Sequence, residues 1–431
     1  MRVLVLGGYG LIGETVMRAL RRAGHQPIGL GRATADAARR MPWAEWRAAD
    51  IAALDEPAKW ADLIEGVDAI VNAAGALQDG ARDSVAAVQS RAIRALIDAC
   101  PAAGVRRFAQ ISAPNATARA TTDFMRTKAE ADAHLCGSDL AWFILRPGLV
   151  IAPAAYGGTA LLRALAAFPL ILPVSHPDAR IQTVHVDDVA ATVVRALEGG
   201  LPERATYDLV EPDAHALSEV VARLRAWLGR PPARTVAPPR WAARLLFGAG
   251  DLLGRLGWRS PMRTTAMREI EAGVAGDPLP LMRATGAPLR SLDQTLSDIP
   301  ATVQERWFAL SWLMKPVAVA ILSLFWLASG VIALVGYPVA VEIALQHGFP
   351  PGLAGASVIG GAVLDIALGL GVLWRPWARR ACLAMAATAI AYLALATLVA
   401  PGLWLDPLGA LVKVVPAIGL ALMTAAVMDE R

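Results

Sequence analysis

The fold of the first part of the chain is decided by residues 3–13, which read VLVLGGYGLIG. A short run of β-forming residues ends at a glycine loop, and apolar residues then recur at helical spacing. Strand, glycine loop and helix in this order are the context that a dinucleotide-binding turn requires. Gly7 permits the tight turn, Gly10 lets the backbone approach a pyrophosphate, and Gly13 lets the helix pack on the strand. The helix that begins at Leu11 and Ile12 offers its free N–H groups to the phosphates.

The second predicted strand, QPIGLGR at residues 26–32, bears on which dinucleotide is bound. An NAD-binding domain usually carries an acid near the end of this strand, where it holds the ribose hydroxyls. This chain has Arg32 there, with Arg39 and Arg40 nearby and no acid between Gly29 and Thr34. A guanidinium suits a 2′-phosphate by its bidentate geometry, so the sequence favours NADP(H) over NAD(H). The alternative is that Arg32 is a solvated loop residue.

Further strands are expected at VDAIVNAAG (67–75) and at VRRFAQIS (105–112), with a helix near residues 55–65. Strands that alternate with helices in this way are typical of an α/β protein. The pattern therefore predicts a doubly wound parallel Rossmann sheet, in which the ends of the strands would carry the site.

Several motifs in a fixed order resemble the short-chain dehydrogenase/reductase superfamily. The closest likeness is to its atypical members, the Rossmann accessory subunit of respiratory complex I and the NmrA-like proteins. The matching pieces are GGYGLIG (7–13), Asp50, Asn72, Ala73, Ala74, Gly75, Ser112, Lys128 within FMRTKAEAD, Arg146-Pro147-Gly148 and HVDDVA (185–190).

This resemblance, which covers roughly the first two thirds of the chain, implies roles for single residues. Asp50 would approach the adenine, and the backbone of residues 72–75 would line the cofactor cleft. Ser112 would face the nicotinamide and Lys128 would bond its ribose. Pro147 would belong to the cofactor-binding residues as well.

One catalytic position departs from the superfamily pattern. The reactive acid of the superfamily is a Tyr four residues before the Lys, and this chain has Phe124 there. A phenol whose pKa is lowered by a nearby ammonium can pass a proton to a carbonyl oxygen, whereas a phenyl ring cannot. Lys128 itself is retained, which favours a preserved cofactor site over a lysine on a helix surface.

Two classes of function stay open at this point. In the first, the chain is an oxidoreductase in which Ser112, Thr121, Thr122, Tyr156 or a bound water supplies the proton. Hydride transfer itself needs only the cofactor and alignment. In the second, the chain is a non-catalytic NADP(H)-binding sensor or assembly scaffold, which is what the accessory subunit and the NmrA-like proteins resemble.

Residues 151–305 are expected to form the substrate part that closes the reductase-like domain. The HVDDVA motif predicts a helix with Asp187 or Asp188 near its N-cap, and we interpret His176 and His185 as structural. Residues 239–258 repeat apolar residues with Arg between them, which fits either a helix lying flat on a membrane surface or a helix covering the cleft.

The composition changes near residue 316. The whole chain is 55% hydrophobic, and its mean hydropathy of +0.45 is high for a protein that is entirely soluble. Stretches of about 20 apolar residues, enough to cross a bilayer, are predicted at 316–336, 353–374, 380–400 and 408–428. The sequence thus predicts a Rossmann domain over 1–150, a substrate part over 151–305, and an all-α four-helix transmembrane bundle over 306–431.

The distribution of Lys and Arg predicts how the spans are oriented. Basic residues flank the first span and fill the segment after the second span, whereas 337–351 and 401–407 contain none. The positive-inside rule then places the N-terminal domain, the 375–380 segment and Arg431 on the cytoplasmic side of a bacterial-type inner (cytoplasmic) membrane. Aromatic residues fall at the predicted interfaces, as in an aromatic belt: Trp312, Trp374, Trp377 and Trp404.

The four-span block, with small residues and a mid-span acid, resembles DoxX-type domains, some of which are quinone-linked subunits. Asp365 lies near the middle of the second span and Lys413 just inside the fourth. An unpaired charge there costs about 2.5–3.5 kcal/mol, which mutual pairing would reduce. The two residues are candidates for a polar site for a proton, a quinone or a lipid headgroup. The alternatives are a structural ion pair and a Lys413 that snorkels outward.

The remaining observations limit the partners. A net charge of +4, with no basic run interleaved with aromatics, gives nucleic-acid binding little support. Cys100, Cys136 and Cys382 show neither paired nor metal-ligand spacing and fit a reduced compartment. The expected partners are a nicotinamide nucleotide, the lipid bilayer and a hydrophobic substrate, of which a quinone is one candidate.

Overall fold

The computed structural model describes residues 1–75, 84–258, 260–407 and 409–428. These residues divide into two compact units. The first, here called the nucleotide unit, comprises 1–252 and 260–306, and the second, here called the apolar unit, comprises 253–259 and 307–431. The division between a nucleotide-binding and a substrate part near residue 150 stays a prediction.

The strands of the nucleotide unit follow the predicted alternation with helices. In chain order they are β1 Arg2–Leu6, β2 Gln26–Gly31, β3 Glu45–Ala48, β4 Ala69–Asn72, β5 Arg107–Ile111, β6 Ala141–Pro147, β7 Leu149–Ile151, β8 Ile171–Pro173, β9 Arg180–Ile181, β10 Thr183–His185, β11 Ala205–Leu209, β12 His215–Ala216 and β13 Arg234–Val236.

Twelve α-helices begin in the described part of this unit before residue 303. They are α1 Leu11–Arg22, α2 Thr34–Arg40, α3 Ala61–Ile64, α4 Ala92–Ala99, α5 Asp123–Cys136, α6 Gly158–Ala166, α7 Val186–Leu197, α8 Leu217–Trp227, α9 Arg240–Arg255, α10 Thr264–Ala272, α11 Leu279–Thr285 and α12 Leu292–Asp298. Short 3-10 turns span Ile51–Ala53 and Pro57–Trp60, and a π-helical stretch spans Ala87–Arg91.

The main sheet is parallel and has the order β11-β6-β5-β4-β1-β2-β3. Strands β2 and β3 lie on one side of β1, whereas β4, β5, β6 and β11 lie on the other side. The strand order therefore reverses between β1 and β4. In open α/β sheets the crevice beyond the carboxyl ends of the strands at this reversal is where ligands bind. The doubly wound parallel Rossmann sheet predicted from the sequence is confirmed.

Burial of β1 on both faces explains its unbroken apolar sequence. Val3 and Val5 pack with Met17 of α1 in one core cluster, while Leu4 and Leu6 pack in the cluster on the opposite face. A parallel sheet covered by helices on both faces requires this composition. The two core clusters hold β1 in place, and the glycine loop begins where β1 ends.

The apolar unit consists of helices. They are α13 Val303–Val335, which begins in the nucleotide unit, then α14 Tyr337–Gln346, α15 Pro351–Gly371, α16 Arg375–Val399 and α17 Val414–Ala426, with a 3-10 turn at Pro401–Leu405. Among the described residues, three helices are long and apolar enough to cross a membrane, namely α13, α15 and α16. Three of the predicted spans are therefore supported by the structure.

The fourth predicted span and one predicted loop need correction. Of the described residues 409–428, only Val414–Ala426 is α-helical, and 13 residues extend about 20 Å at 1.5 Å per residue, less than the roughly 30 Å of a bilayer core. Residues 410–413 form turns instead. The predicted loop 337–351 contains α14, whose first turn holds Pro338. Proline at this position is favourable because its missing N–H would be unpaired there anyway.

The hypothesis that Asp365 pairs with Lys413 is wrong within the described residues. Ser329 Oγ of α13 donates to Asp365 Oδ2 at 2.7 Å, and the Tyr392 hydroxyl of α16 donates to Oδ1 at 3.2 Å. Lys413 is exposed and precedes α17 as its N-cap instead of lying inside a span. Asp365 is thus buried and bonded to two hydroxyls of neighbouring helices.

Candidate nucleotide-binding and active site

The glycine loop joins the end of β1 to the start of α1. Gly7 has a φ of +69°, and its N–H donates to Leu30 O at 3.0 Å. Gly10 is the N-cap of α1 and has no side chain to occupy the helix end. The first N–H groups of a helix have no partner within the helix, so the amides beginning at Leu11 and Ile12 are suited to phosphate oxygens.

The close packing of the loop shows why Gly13 carries no side chain. A Cβ built on Gly13 would lie 2.1 Å from Gly7 O, far inside van der Waals contact. The helix can approach the glycine loop this closely only because residue 13 lacks a Cβ. This is a cradle of backbone atoms, and its shape fits the pyrophosphate of a dinucleotide.

The segment after β4 lies directly beside this loop. A Cβ on Gly7 would lie 3.0 Å from Ala73 O and 3.1 Å from the Ala74 backbone. Asn72 shapes the segment, because its Oδ1 accepts from Ala74 N at 3.1 Å while its Nδ2 donates to Gln110 Oε1 at 2.9 Å. The structure therefore brings the glycine loop and residues 72–75 together at the reversal of the sheet.

Lys128 also lies near this crevice and is buried. Its Nζ donates to Ile111 O at 2.9 Å and lies 3.9 Å from where a Cβ of Gly75 would be. Burial lowers the pKa of Lys128 to about 8, and the charge of Asp132 opposes this shift. The interpretation of Lys128 as a surface lysine does not fit the structure.

Phe124 occupies the position one helical turn before Lys128. The centroid of its ring is 5.4 Å from Lys128 Nζ, and it packs against Ala113, Ala116 and Met125. An apolar ring thus fills the place where the superfamily has its phenol. Any proton for a substrate must come from another group.

Ser112 forms a contact that the sequence analysis missed. Its Oγ donates to Asp132 Oδ2 at 2.5 Å, and Arg146 Nη2 is 3.7 Å from the same oxygen. Burial raises the pKa of Asp132, although Ser112, Lys128 and Arg146 each oppose this rise. The signal was available, because residues four apart in α5, such as Lys128 and Asp132, share one helix face.

The remaining predicted residues lie on or directly after other elements of the nucleotide unit. Arg32 is exposed directly after β2; of its neighbours, Arg39 pairs with Asp36, and Arg40 pairs with Glu14 at 3.0 Å. Asp50 caps a 3-10 turn by accepting from Ala52 N at 3.2 Å. Pro147 ends β6.

The alternative proton donors differ in exposure. Thr122 is the N-cap of α5, and its hydroxyl also donates to Glu269. Thr121 is exposed, and so is Tyr156. Ser112 is the one of these hydroxyls that directly follows β5 beside Lys128.

The predicted position of Asp187 and Asp188 near the N-cap of the HVDDVA helix is confirmed, because both lie in the first turn of α7. His185 caps α7, because its Nδ1 accepts from Asp187 N at 3.0 Å. Asp188 instead forms an ion pair with Arg290 at 2.6 Å. A carboxylate held by a bidentate guanidinium is not available to the helix end. His185 and Asp188 therefore have structural partners.

These features define a Rossmann protein of the nicotinamide-nucleotide-binding class. Residues 7–199 match the NAD(P)H-binding family, and residues 323–422 match the DoxX-like family. The chain belongs to the NAD(P)H-binding, short-chain dehydrogenase/reductase-like proteins, and a DoxX-like domain follows in the same chain. The resemblance of the first part to short-chain dehydrogenase/reductases and of the last part to DoxX-type domains is confirmed.

Relatives of known activity are reductases. The NAD(P)H azoreductase of Xenophilus azovorans is 28% identical over 291 residues, covering 67% of this chain and 94% of the relative. The 3-diazoavenalumate denitrifying reductase of a Streptomyces species is 30% identical over 280 residues, covering 57% of this chain and 87% of the relative. Both relatives are matched over most of their own length.

A solved structure shares the fold. The Bordetella bronchiseptica enzyme WbmG in complex with NAD superposes with a TM-score of 0.53 at 17% identity, covering 73% of this chain and 94% of WbmG. At this identity the likeness concerns the fold alone.

Proposed function

We propose that this protein is a membrane-anchored, NADP(H)-dependent reductase of a hydrophobic acceptor. The observation that carries the proposal is that a backbone cradle and a buried lysine lie together at one edge of the sheet. A backbone cradle at residues 7–13 lies beside residues 72–75, and the buried Lys128 ammonium lies next to Ser112. Each part has the chemistry that a reduced nicotinamide nucleotide needs.

The residues of the chain have distinct roles in this proposal. The amides after Gly10 bind the pyrophosphate, and Lys128 bonds the nicotinamide ribose. Arg32 binds the 2′-phosphate, and Asp50 approaches the adenine. The backbone of 72–75 and Pro147 line the cleft, and Ser112 faces the acceptor. When bound, the nucleotide supplies a hydride, and the chain supplies a proton and alignment.

The class of acceptor is inferred from the anchor and from the relatives. A domain held at a bilayer meets molecules dissolved in lipid more often than a free enzyme does, so a hydrophobic carbonyl compound or quinone is favoured. The two relatives described above are named for an azo and a diazo substrate. A double bond between nitrogen atoms therefore belongs in any screen of acceptors.

The proposed location is the inner membrane, with the nucleotide unit in the cytoplasm. The junction between α15 and α16 supports this orientation, because Arg375, Arg379 and Arg380 lie beside the exposed, stacked rings of Trp374 and Trp377. Basic residues and tryptophans together are typical of a cytoplasmic interface. Residue Arg431, which the sequence analysis also assigned to this side, lies outside the described residues.

Helix α9 fits the membrane surface better than the cleft. Trp241, Leu245 and Leu252 are 68%, 67% and 60% exposed. Within the apolar unit, Arg375 N donates to Leu256 O at 3.0 Å, just after α9 ends. An exposed apolar face with arginines, continuing into the junction of two spans, suits the headgroup layer of a bilayer.

A nucleotide-binding sensor or scaffold is the second candidate function. Phe124 favours it, because the group that donates the proton in the superfamily is absent. The two candidates differ in one measurable property: both bind NADPH, but only the reductase oxidises it when an acceptor is present.

The test uses the purified full chain in lipid nanodiscs. We expect NADPH to bind more tightly than NADH, and NADPH to be oxidised in the presence of a hydrophobic carbonyl, quinone or azo compound. If NADPH binds but no acceptor oxidises it, the reductase is excluded and the sensor or scaffold is supported. Absence of binding to either nucleotide would overturn both candidates.

The preference for NADPH is tested by Arg32→Glu. Loss of a charged contact to the 2′-phosphate and gain of a like charge should weaken NADPH binding by about 10–100-fold and leave NADH binding almost unchanged. Arg39→Glu is the matched control, since Arg39 already pairs with Asp36. Equal effects of Arg32→Glu on the two nucleotides would contradict the NADP(H) preference.

A further inference from the structure

A buried carboxyl lies behind Ser112, and the proposed function does not yet use it. Asp132 is 4% exposed, and its Oδ2 accepts the Ser112 hydroxyl at 2.5 Å. Within the described part of the chain, its second oxygen, Oδ1, is buried without a hydrogen-bond partner. A buried carboxyl group normally has both oxygens hydrogen-bonded, so an oxygen without a partner needs an explanation, and a catalytic role is one.

The groups that face Asp132 come from three elements. Lys128 and Cys136 lie one turn to either side of it on α5, Ser112 follows β5, and Arg146 approaches from β6. The two cations stabilise the carboxylate, while burial stabilises the carboxylic acid. Opposed influences of this kind hold a carboxyl between its two states, as acid–base groups require.

We propose that Asp132 and Ser112 form a proton relay that replaces the missing phenol of position 124. This inference rests on the proposed reductase function and names its source of protons. Ser112 is the catalytic residue, since its hydroxyl faces the acceptor. Asp132 acts through Ser112 and is a positioning and recharging residue.

The relay balances as follows for reduction of a carbonyl or azo double bond. The reduced nicotinamide nucleotide would supply one hydride to one atom of the double bond and would itself be oxidised. The Ser112 O–H bond breaks, and its proton bonds to the other atom, which carries the developing negative charge. For this transfer the Ser112 hydroxyl turns from Asp132 to the acceptor, so that its oxygen accepts a hydrogen bond from Asp132 protonated on Oδ2; this second O–H bond breaks at the same time, and its proton restores the Ser112 hydroxyl. Asp132 is left as a carboxylate beside Lys128 and Arg146 and regains its proton from solvent.

The first test compares Asp132→Asn with the wild type in nanodiscs. An amide can hold the Ser112 oxygen by a hydrogen bond but cannot recharge it, so kcat should fall by ~10²–10⁴-fold, the usual contribution of a general acid. The alkaline limb of the kcat profile, which reports loss of the Asp132 proton, should disappear. Nucleotide affinity should stay within about threefold, because Asp132 is not expected to touch the nucleotide.

Two further variants separate a relay from a structural contact. Ser112→Ala should lower kcat as much as Asp132→Asn, and the double variant should be no slower than either single one, since the two groups act as one unit. Glu130→Gln is the matched control on the same helix, where Glu130 accepts a hydrogen bond from Ser90. It should change neither kcat nor the pH profile.

A readout that needs no turnover is the infrared difference spectrum between acidic and alkaline protein without nucleotide. The carbonyl band of a buried carboxylic acid should be lost in Asp132→Asn and kept in Glu130→Gln. An unchanged pH profile in Asp132→Asn, or an infrared difference spectrum identical to that of the wild type, would overturn the relay. A wild type that binds NADPH but reduces no acceptor would overturn the proposed reductase function, and the relay with it.

Discussion

At the scale of single residues, the site combines a retained lysine with a lost phenol. Lys128 keeps its ammonium at the crevice, 5.4 Å from the ring of Phe124. The ammonium remains where it would lower the pKa of a phenol, although no phenol is present. The lysine of the superfamily pattern is thus present at the crevice, while the phenol is replaced by an apolar ring.

Phe124→Tyr restores the missing group. We expect the tyrosine to find Lys128 in place and to raise kcat, by no more than the ~10²–10⁴-fold that a positioned general acid contributes. Steady-state oxidation of NADPH with the best acceptor measures this effect. Phe124→Leu is the control that changes the ring without adding a hydroxyl. A tyrosine variant no faster than the leucine variant would show that position 124 does not face the acceptor.

The charge of Lys128 should make nucleotide binding depend on pH. Its pKa is lowered to about 8 by burial, so the ammonium loses its proton as the pH rises through this value. The charge-assisted bond to the ribose then weakens, and NADPH affinity should fall by about tenfold. Fluorescence titration of bound NADPH across this range measures the change. In Lys128→Met the affinity should be low and independent of pH; a wild-type slope that persists in this variant would contradict the role.

At the scale of elements, the sequence predicted β1, the glycine loop and α1 because their signals are local. A run of β-forming residues, glycines at fixed positions and apolar residues at helical spacing all lie within residues 3–20. Asp132 was missed for the opposite reason. Its partner Ser112 is 20 residues away, and an acid four residues after a lysine in a helix is also common on solvated surfaces.

The C-terminal helices show the same limit. The apolar composition of α13, α15 and α16 was sufficient to predict three spans. Composition did not reveal that residues 410–413 form turns after Gly409, whose φ is +68°, because most of the surrounding residues are apolar. The partners of Asp365 were likewise beyond prediction, since Ser329 and Tyr392 are weakly polar residues on other helices.

Helix α9 is the element whose environment can be tested directly. A Leu245→Cys label with an environment-sensitive dye, in a Cys136→Ser background, should emit at shorter wavelength in nanodiscs and be quenched by lipid-borne quenchers, because Leu245 is expected to insert between headgroups. Lys59→Cys, on the exposed surface of the nucleotide unit, is the matched control and should show neither effect. Equal emission at both sites would place α9 in water.

At the scale of the whole molecule, the chain joins a nucleotide-binding unit to an apolar unit with a cytoplasmic orientation proposed for the first. In inverted membrane vesicles, a membrane-impermeant thiol reagent should label Lys59→Cys in the Cys136→Ser background. In right-side-out vesicles it should not, because the bilayer would shield the site. A cysteine introduced at Glu342 should show the reverse pattern. Labelling of both sites from one face would contradict the proposed topology.

The assignment of residues 253–259 to the apolar unit, between two segments of the nucleotide unit, has a practical consequence. The backbone passes from one unit to the other three times. After a single protease cut near residue 306, the nucleotide unit would still be covalently joined to residues 253–259 of the apolar unit. Release of a water-soluble fragment requires two cuts, one before residue 253 and one after residue 259, in addition to the cut near 306. A shortened gene that stops at residue 306 would still encode the seven residues that belong to the apolar unit. We therefore expect this fragment to be poorly soluble.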